Sequence, residues 1–264
     1  MSRFTDDTAV TPLGDGRYSA TIHDRWWIQR GPNGGYLAAI VLRSVIAEVA
    51  DDERRPRSVT LHYLRPPEAG ACEVAVTIER AGRGMSTVTA RLAQDGKDCV
   101  LATVALGVDR EGPELDEHPM PDVPPPEEVE VIHHPDDPGP DIPFRGRFEM
   151  RPVLGARPFE LGTEAVTGGW IRTTDHDPVD AVLLTAIMDS WPPAIFSRLE
   201  GPVGVPTVDL TVHLRRRPTP GDDWVLVRFR TTVAAEGFLE EDGEAWSRDG
   251  RLIAHARQLG VLVP

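Results

Sequence analysis

From Gly34 to Ala50 the chain reads GGYLAAIVLRSVIAEVA, apolar nearly all the way round. Tyr36, Leu37, Ile40, Val41, Val45, Ile46 and Val49 leave no clean polar stripe, so the pattern predicts a helix with no solvent face. After it the period changes to that of strands: SVTLHYLRPP (58–67), CEVAVTIERAG (72–82), MSTVTARLAQDG (85–96) and KDCVLATVALGV (97–108). The same order recurs later. DAVLLTAIMDSW (180–191) reads as a second buried helix, followed by TVDLTVHLRRRP (207–218), WVLVRFRTTVA (224–234), GFLEEDGEAWSRDG (237–250) and RLIAHARQLGVLV (251–263). Turn signals at Gln94-Asp95-Gly96 and Arg248-Asp249-Gly250 separate successive strands. A first strand is expected before each helix, near 17–24 and 164–173.

Each half is therefore a helix followed by an antiparallel meander. An all-round apolar helix must be wrapped, and a strongly curved antiparallel sheet folded around it does this; that is the hotdog arrangement, an α+β fold, here present twice. The expected organisation is an N-terminal hotdog over 1–111, a connecting segment over 112–151 and a C-terminal hotdog over 152–264. The connecting segment, centred on PDVPPPEEVEVIHHPDDPGPD, is too rich in proline and acid to hold regular structure for long. His133, His134, Asp136 and Asp137 within it read as solvated linker, and no metal site is assigned.

Charge narrows the class of partner. A formal charge of -14 argues against an electrostatic grip on nucleic acid or an anionic membrane, and favours a small-molecule partner. No apolar stretch is long enough to span a bilayer and the start lacks the regions of a signal peptide, so a cytoplasmic protein is expected. Cys72 and Cys99 each sit in an apolar run and read as reduced core residues.

Three polar residues stand where apolar ones are expected. Asp189 follows Ala186, Ile187 and Met188 on the second buried helix, just before Trp191 and the helix-ending Pro192-Pro193, where a carboxylate needs compensation. Gln258 interrupts the small apolar row of Ala254 and Ala256. Thr207 opens the strand after the second helix, and simple alternation puts it on one face with Asp209 and Thr211, away from the apolar row. Overlaying the two copies sets Ala39 or Ile40 against Asp189, Leu106 against Gln258, and Arg57 or Ser58 against Thr207. The polar set occurs once, as expected of a duplicated unit with one working site.

With WWIQRGPNGGYLAAIVL and LHYLRPP in the first half, and MDSWPP, PTVDLTVHLRRRP and DGRLIAHARQLGVL in the second, the chain resembles the acyl-CoA thioesterase II type of double-hotdog enzyme and its bacterial thioesterase-like relatives. The resemblance covers nearly the whole chain apart from the proline-rich segment. It implies hydrolysis of acyl-CoA thioesters by an Asp, a Thr and a Gln that hold a water molecule, carried over by position to Asp189, Thr207 and Gln258. A bulge or a different register would make Asp209 or Thr211 the working residue instead. Coenzyme A enters as part of the substrate and no separate cofactor is implied; the family also favours association into homo-oligomers.

Substrate-binding residues are expected at Asn33, Gly34 and Gly35, whose amides at a helix start suit a carbonyl oxygen gaining charge. On that reading Gly35→Val blocks activity more than it lowers stability. Arg215 and Arg216, in the densest basic run, are assigned to the coenzyme A phosphates. The chain has no Gly-x-Ser-x-Gly elbow, no Asp-x-Asn-Pro followed by His, and no P-loop or GxGxxG. The competing reading is an acyl-CoA or acyl-carrier binding protein without turnover; convergence of Asp189, Gln258 and a threonine near Gly34 or Gly35 would favour the enzyme.

Overall fold

A computed structural model describes residues 2–131 and 142–263. His133, His134, Asp136 and Asp137 lie outside the described residues. The first half contains α1 (Arg3–Asp7), β1 (Thr11–Gly14), β2 (Arg17–Ile22), α2 (Gly34–Val49), β3 (Arg55–Tyr63), β4 (Gly70–Ala81), β5 (Met85–Gln94) and β6 (Lys97–Gly107). The second contains β7 (Phe148–Gly155), β8 (Val166–Thr173), α3 (Ala181–Ile187), β9 (Thr207–Leu214), β10 (Val225–Arg230), the short β11 (Ala234–Ala235), β12 (Phe238–Ser247) and β13 (Leu252–Val261). All strands join one antiparallel sheet in the order β1-β2-β4-β5-β6-β3-β9-β13-β12-β10-β8-β7, with β11 paired to β12. Tight turns follow the Gly signals: Asp95 and Gly96 both adopt positive φ, as a two-residue hairpin of the primed type needs.

The halves meet where β3 pairs with β9. Val59 faces Val212, Thr60 faces Thr211 and Leu61 faces Leu210, so a local twofold through the central pair exchanges Val59 with Leu210 and Leu61 with Val212. The two threonines on that axis hydrogen-bond through their hydroxyls at 3.0 Å, while the four aliphatic side chains are fully buried on the other face. The same operation carries a bulge between Pro56 and Ser58 in β3 onto one between Thr207 and Asp209 in β9. This register corrects the overlay read from sequence. Pro56 is the counterpart of Thr207, and Val104, paired with Val59, is the counterpart of Gln258, paired with Leu210. Both counterparts are apolar, and so are the buried positions Ala38 to Leu42 of α2.

Helix α2 is buried as its pattern requires, with Tyr36 to Leu42 nearly inaccessible. Helix α3 is shorter than the sequence suggests. It ends at Ile187, Ser190 returns its hydroxyl to the Ala186 carbonyl at 2.7 Å, and Trp191 precedes a proline, which disfavours helical backbone there. Asp189 consequently sits just beyond the helix rather than on it.

The connecting stretch is shorter than 112–151, because β7 begins at Phe148. Its described part crosses the outer face of the second half. There Trp170, Leu226, Trp246 and Leu252 lie side by side on four adjacent strands and, with Trp224, form a second apolar cluster that Met120 and Val123 cover. The Trp170 indole donates to the Pro124 carbonyl at 2.8 Å and the Trp246 indole to that of His118 at 3.2 Å. A sheet buried on both faces explains why Trp224 to Val227 is a continuous apolar run rather than an alternating one. Cys72 and Cys99 are buried and unpaired, and burial pushes the Cys72 thiol up to about 12.

Replacing Trp246 with Ala should lower stability by about 3 to 5 kcal/mol and release the strap, so that limited proteolysis cuts between 112 and 131 well before the chain unfolds. Unchanged cleavage in that stretch would show that the tryptophan cluster does not hold it.

Candidate active site

The site forms where the N-terminus of α2 abuts the turn after α3. Asn33 caps α2, its Oδ1 accepting from the Tyr36 amide at 3.0 Å. Its Nδ2 then reaches across the halves to the Asp189 backbone carbonyl at 2.7 Å and to Asp189 Oδ2 at 3.2 Å. The Gly35 amide donates to the same Oδ2 at 2.8 Å. Two glycines are required here for space. A Cβ on Gly34 would lie 2.8 Å from Asp189 Oδ2 and 2.9 Å from the Tyr63 ring, and one on Gly35 would lie 2.4 Å from the Ala186 carbonyl oxygen. Tyr63, at the end of β3, donates its hydroxyl to the Gly34 carbonyl at 2.9 Å and closes this side.

Burial pushes the Asp189 carboxyl up to about 6, against the opposing pull of the Gly35 and Gly34 amides and Asn33; the Thr207 hydroxyl is close enough to oppose the rise as well. Thr207 reaches this face because of the β9 bulge. With Val208 unpaired, Thr207 lies opposite Gly260, on the side of Leu210 and Gln258, instead of sharing a face with Asp209 and Thr211. Asp209 and Thr211 point to the other face, where Thr211 meets Thr60. The Thr207 hydroxyl donates to Gln258 Oε1 at 3.0 Å. Thus Asp189, Thr207 and Gln258 come together beside Gly34 and Gly35.

A fourth group, absent from the sequence-based set, lies behind them. Glu241 is buried on β12 and accepts from Gln258 Nε2 at 2.9 Å and from the Ala194 amide. Burial pushes its carboxyl up to about 7, opposed by those two donors and reinforced by the charge of Asp189. In its ionised form Glu241 only accepts, and that form obliges Gln258 to present its NH₂ backwards and its carbonyl to Thr207. The signal was present in the alternation of β12, where Leu239, Glu241, Gly243 and Ala245 share the inward face. In the first half Val88, paired with Val104, occupies the corresponding place.

One expectation needs correction. The Gly35 amide is engaged by Asp189, so it steadies that carboxylate instead of standing open for a substrate oxygen, and Asn33 does the same. Arg215 and Arg216 do not touch the Asp189 group: they follow the far end of β9, whose 8 residues span roughly 25 Å at about 3.3 Å each.

Comparison with known proteins identifies the family. The family models for the acyl-CoA thioesterase N-terminal domain and C-terminal domain match residues 22–107 and 122–262. The chain belongs to the acyl-CoA thioesterase family. A curated relative, the uncharacterized protein Rv0499 of Mycobacterium tuberculosis, is 26% identical over 289 residues, covering 98% of each chain. A conserved protein of unknown function with a hot dog fold from Alicyclobacillus acidocaldarius is 27% identical with a TM-score of 0.90, covering 100% of this chain and 99% of its own. The acyl-CoA thioesterase II TesB2 of Mycobacterium marinum, 19% identical with a TM-score of 0.78 over 99% and 98% of the two chains, shares the fold. No described helix is long and apolar enough to cross a membrane.

Two outcomes follow from the packing and the charge. Gly35→Ala should cost about 1 to 3 kcal/mol in urea unfolding, because the added methyl meets the Ala186 carbonyl. Asp189 has a folded value of about 6 against an ordinary 3.8, so the folded chain holds a proton that the unfolded one releases in between, and stability is lost as pH rises through that window. Asp189→Asn should therefore raise the melting temperature at pH 8 and leave it unchanged below pH ~4. A lower melting temperature at pH 8 would mean that hydrogen bonds to the ionised form, not burial, dominate.

Proposed function

We propose that the protein is a double-hotdog acyl-CoA thioesterase with one working site, in which Asp189 is the general base and Thr207 and Gln258 orient the attacking water. The observation that carries this reading is the convergence of these three side chains at the start of α2, in a chain of the acyl-CoA thioesterase family. The same convergence favours catalysis over a binding-only role.

The chemistry follows from the donors and acceptors. With its hydrogen directed to Gln258, the Thr207 hydroxyl offers lone pairs, and Asp189 offers a carboxylate oxygen. A water seated between them donates one hydrogen to each and turns a lone pair toward the thioester carbon. As the carbon–oxygen bond forms, Asp189 takes the proton and the carbonyl electrons move onto oxygen. Collapse of that intermediate breaks the carbon–sulfur bond, and the proton held by Asp189 passes to the departing thiolate, leaving free acid and coenzyme A. Glu241 acts through Gln258 by holding its amide in the orientation that accepts from Thr207. Burial keeps Asp189 a better base than a solvated carboxylate while leaving it ionised at neutral pH.

The test is release of coenzyme A from a panel of acyl-CoA substrates, followed with a thiol-reactive dye. Turnover should appear for at least one acyl chain, rise with pH through about 6 as Asp189 ionises, and fall by about 10² to 10⁴ in Asp189→Asn. No release from any substrate, or near-normal turnover in the folded variant, would refute the assignment.

A further inference from the structure

The local twofold that relates β3 to β9 also relates the two ends of their seam. At one end are Tyr63 and Thr207, beside the site described above. At the other, Arg55 and Arg57 flank Pro56, the counterpart of Thr207, and Arg215 to Arg217 follow Leu214, the counterpart of Tyr63. The polar set of the first end is not repeated here, since the counterparts of Thr207, Gln258 and Glu241 are Pro56, Val104 and Val88. Instead it contains a cavity of about 360 Å³ lined by those five arginines together with Arg110, Arg251 and a single acid, Asp109.

Its charge is unbalanced. Asp109 is shared by Arg55 at 2.9 Å, by Arg217 at 3.3 Å and by Arg57. Arg216 pairs with Asp116 and Arg251 with Asp249. Among the described residues no carboxylate pairs with Arg110 or Arg215, so seven guanidinium groups face three carboxylates in a chain whose formal charge is -14. Arg55 Nε is buried without a hydrogen-bond partner. Burial, with the like charges of Arg57 and Arg217, makes the Arg55 cation less favourable than in water, although Asp109 offsets part of this. Several guanidinium forks converging from four chain segments, one with an unused buried donor, are suited to the multiple acceptor oxygens of phosphate.

We propose that the arginine-lined cavity at the inactive end of the β3–β9 seam is a binding site for a phosphate-bearing polyanion, separate from the Asp189 centre. The ligand is either the nucleotide end of a coenzyme A molecule or a free phosphate compound; both present clustered phosphate oxygens. The proposal does not depend on turnover, because occupancy is measured as binding.

The experiment is calorimetric titration of the full chain with inorganic pyrophosphate at low salt. The expected result is saturable binding that weakens with added salt, persists in Asp189→Asn, and drops at least tenfold in the double variant Arg57→Gln/Arg215→Gln. Circular dichroism and melting temperature establish that the variant is folded. Coenzyme A that displaces pyrophosphate and loses affinity in the same variant identifies the nucleotide end of coenzyme A as the ligand. Failure of coenzyme A to displace it identifies a free phosphate compound. Absence of saturable binding to the wild-type chain, or equal affinity in the folded double variant, overturns the proposal. A catalytically silent chain that still binds pyrophosphate would refute the thioesterase reading and leave this one standing.

Discussion

The carboxylate of Asp189 lies against the first turn of a helix from the other half of the chain, and this contact constrains everything around it. An ionised carboxylate with little access to water needs donors, and the exposed amides at a helix start supply them together with the positive end of the helix dipole. The Gly35 amide can come within 2.8 Å only because neither residue of the Gly34-Gly35 pair carries a Cβ. The glycines weaken α2 as a helix, and in return the N-terminus of α2 packs directly onto the Ala186 carbonyl and the Asp189 turn. Burial of α2 outweighs that loss, since the side chains from Tyr36 to Leu42, with Ser44 and Val45, are removed from water.

Duplication accounts for how such a site arises once. The seam is close to symmetric in backbone, with matched bulges and a threonine pair on the axis. The side chains break the symmetry. Where the second half places Thr207, Gln258 and Glu241, the first places Pro56, Val104 and Val88, a dry apolar version of the same position. Each polar member of the site is satisfied by another: Thr207 by Gln258, Gln258 by Glu241, and Glu241 by the Ala194 amide. A network of this kind costs little while complete and a great deal when one member is removed, because the remaining groups are left buried without partners.

Much of this was legible in the sequence, for a physical reason specific to each element. Strand alternation and helix apolarity are local consequences of one-sided and all-round burial, so α2, the meanders and their order could be read directly. Asp189 and Gln258 stood out because they interrupt apolar rows. Glu241 interrupts one as well, but the acidic neighbours Glu240 and Asp242 masked it in composition. The extent of α3 is not legible in the sequence, because apolarity continues through Met188 and Trp191 while the i→i−4 bonds give way, after the Met188 amide, to the tighter i→i−3 bonds of Asp189 and Ser190.

By itself the sequence determined that the chain folds as a duplicated helix-and-meander unit and that one copy alone carries polar groups among apolar rows, since periodicity and burial are encoded residue by residue. The tertiary structure alone decided that Thr207, rather than Asp209 or Thr211, faces the site, because a single unpaired residue in β9 reverses the side on which every residue before it lies. It also decided which donors serve Asp189, and that Arg215 and Arg216 stand away from it with five other arginines. These are relations between residues more than a hundred positions apart, set by strand register and helix packing, and no local pattern carries them.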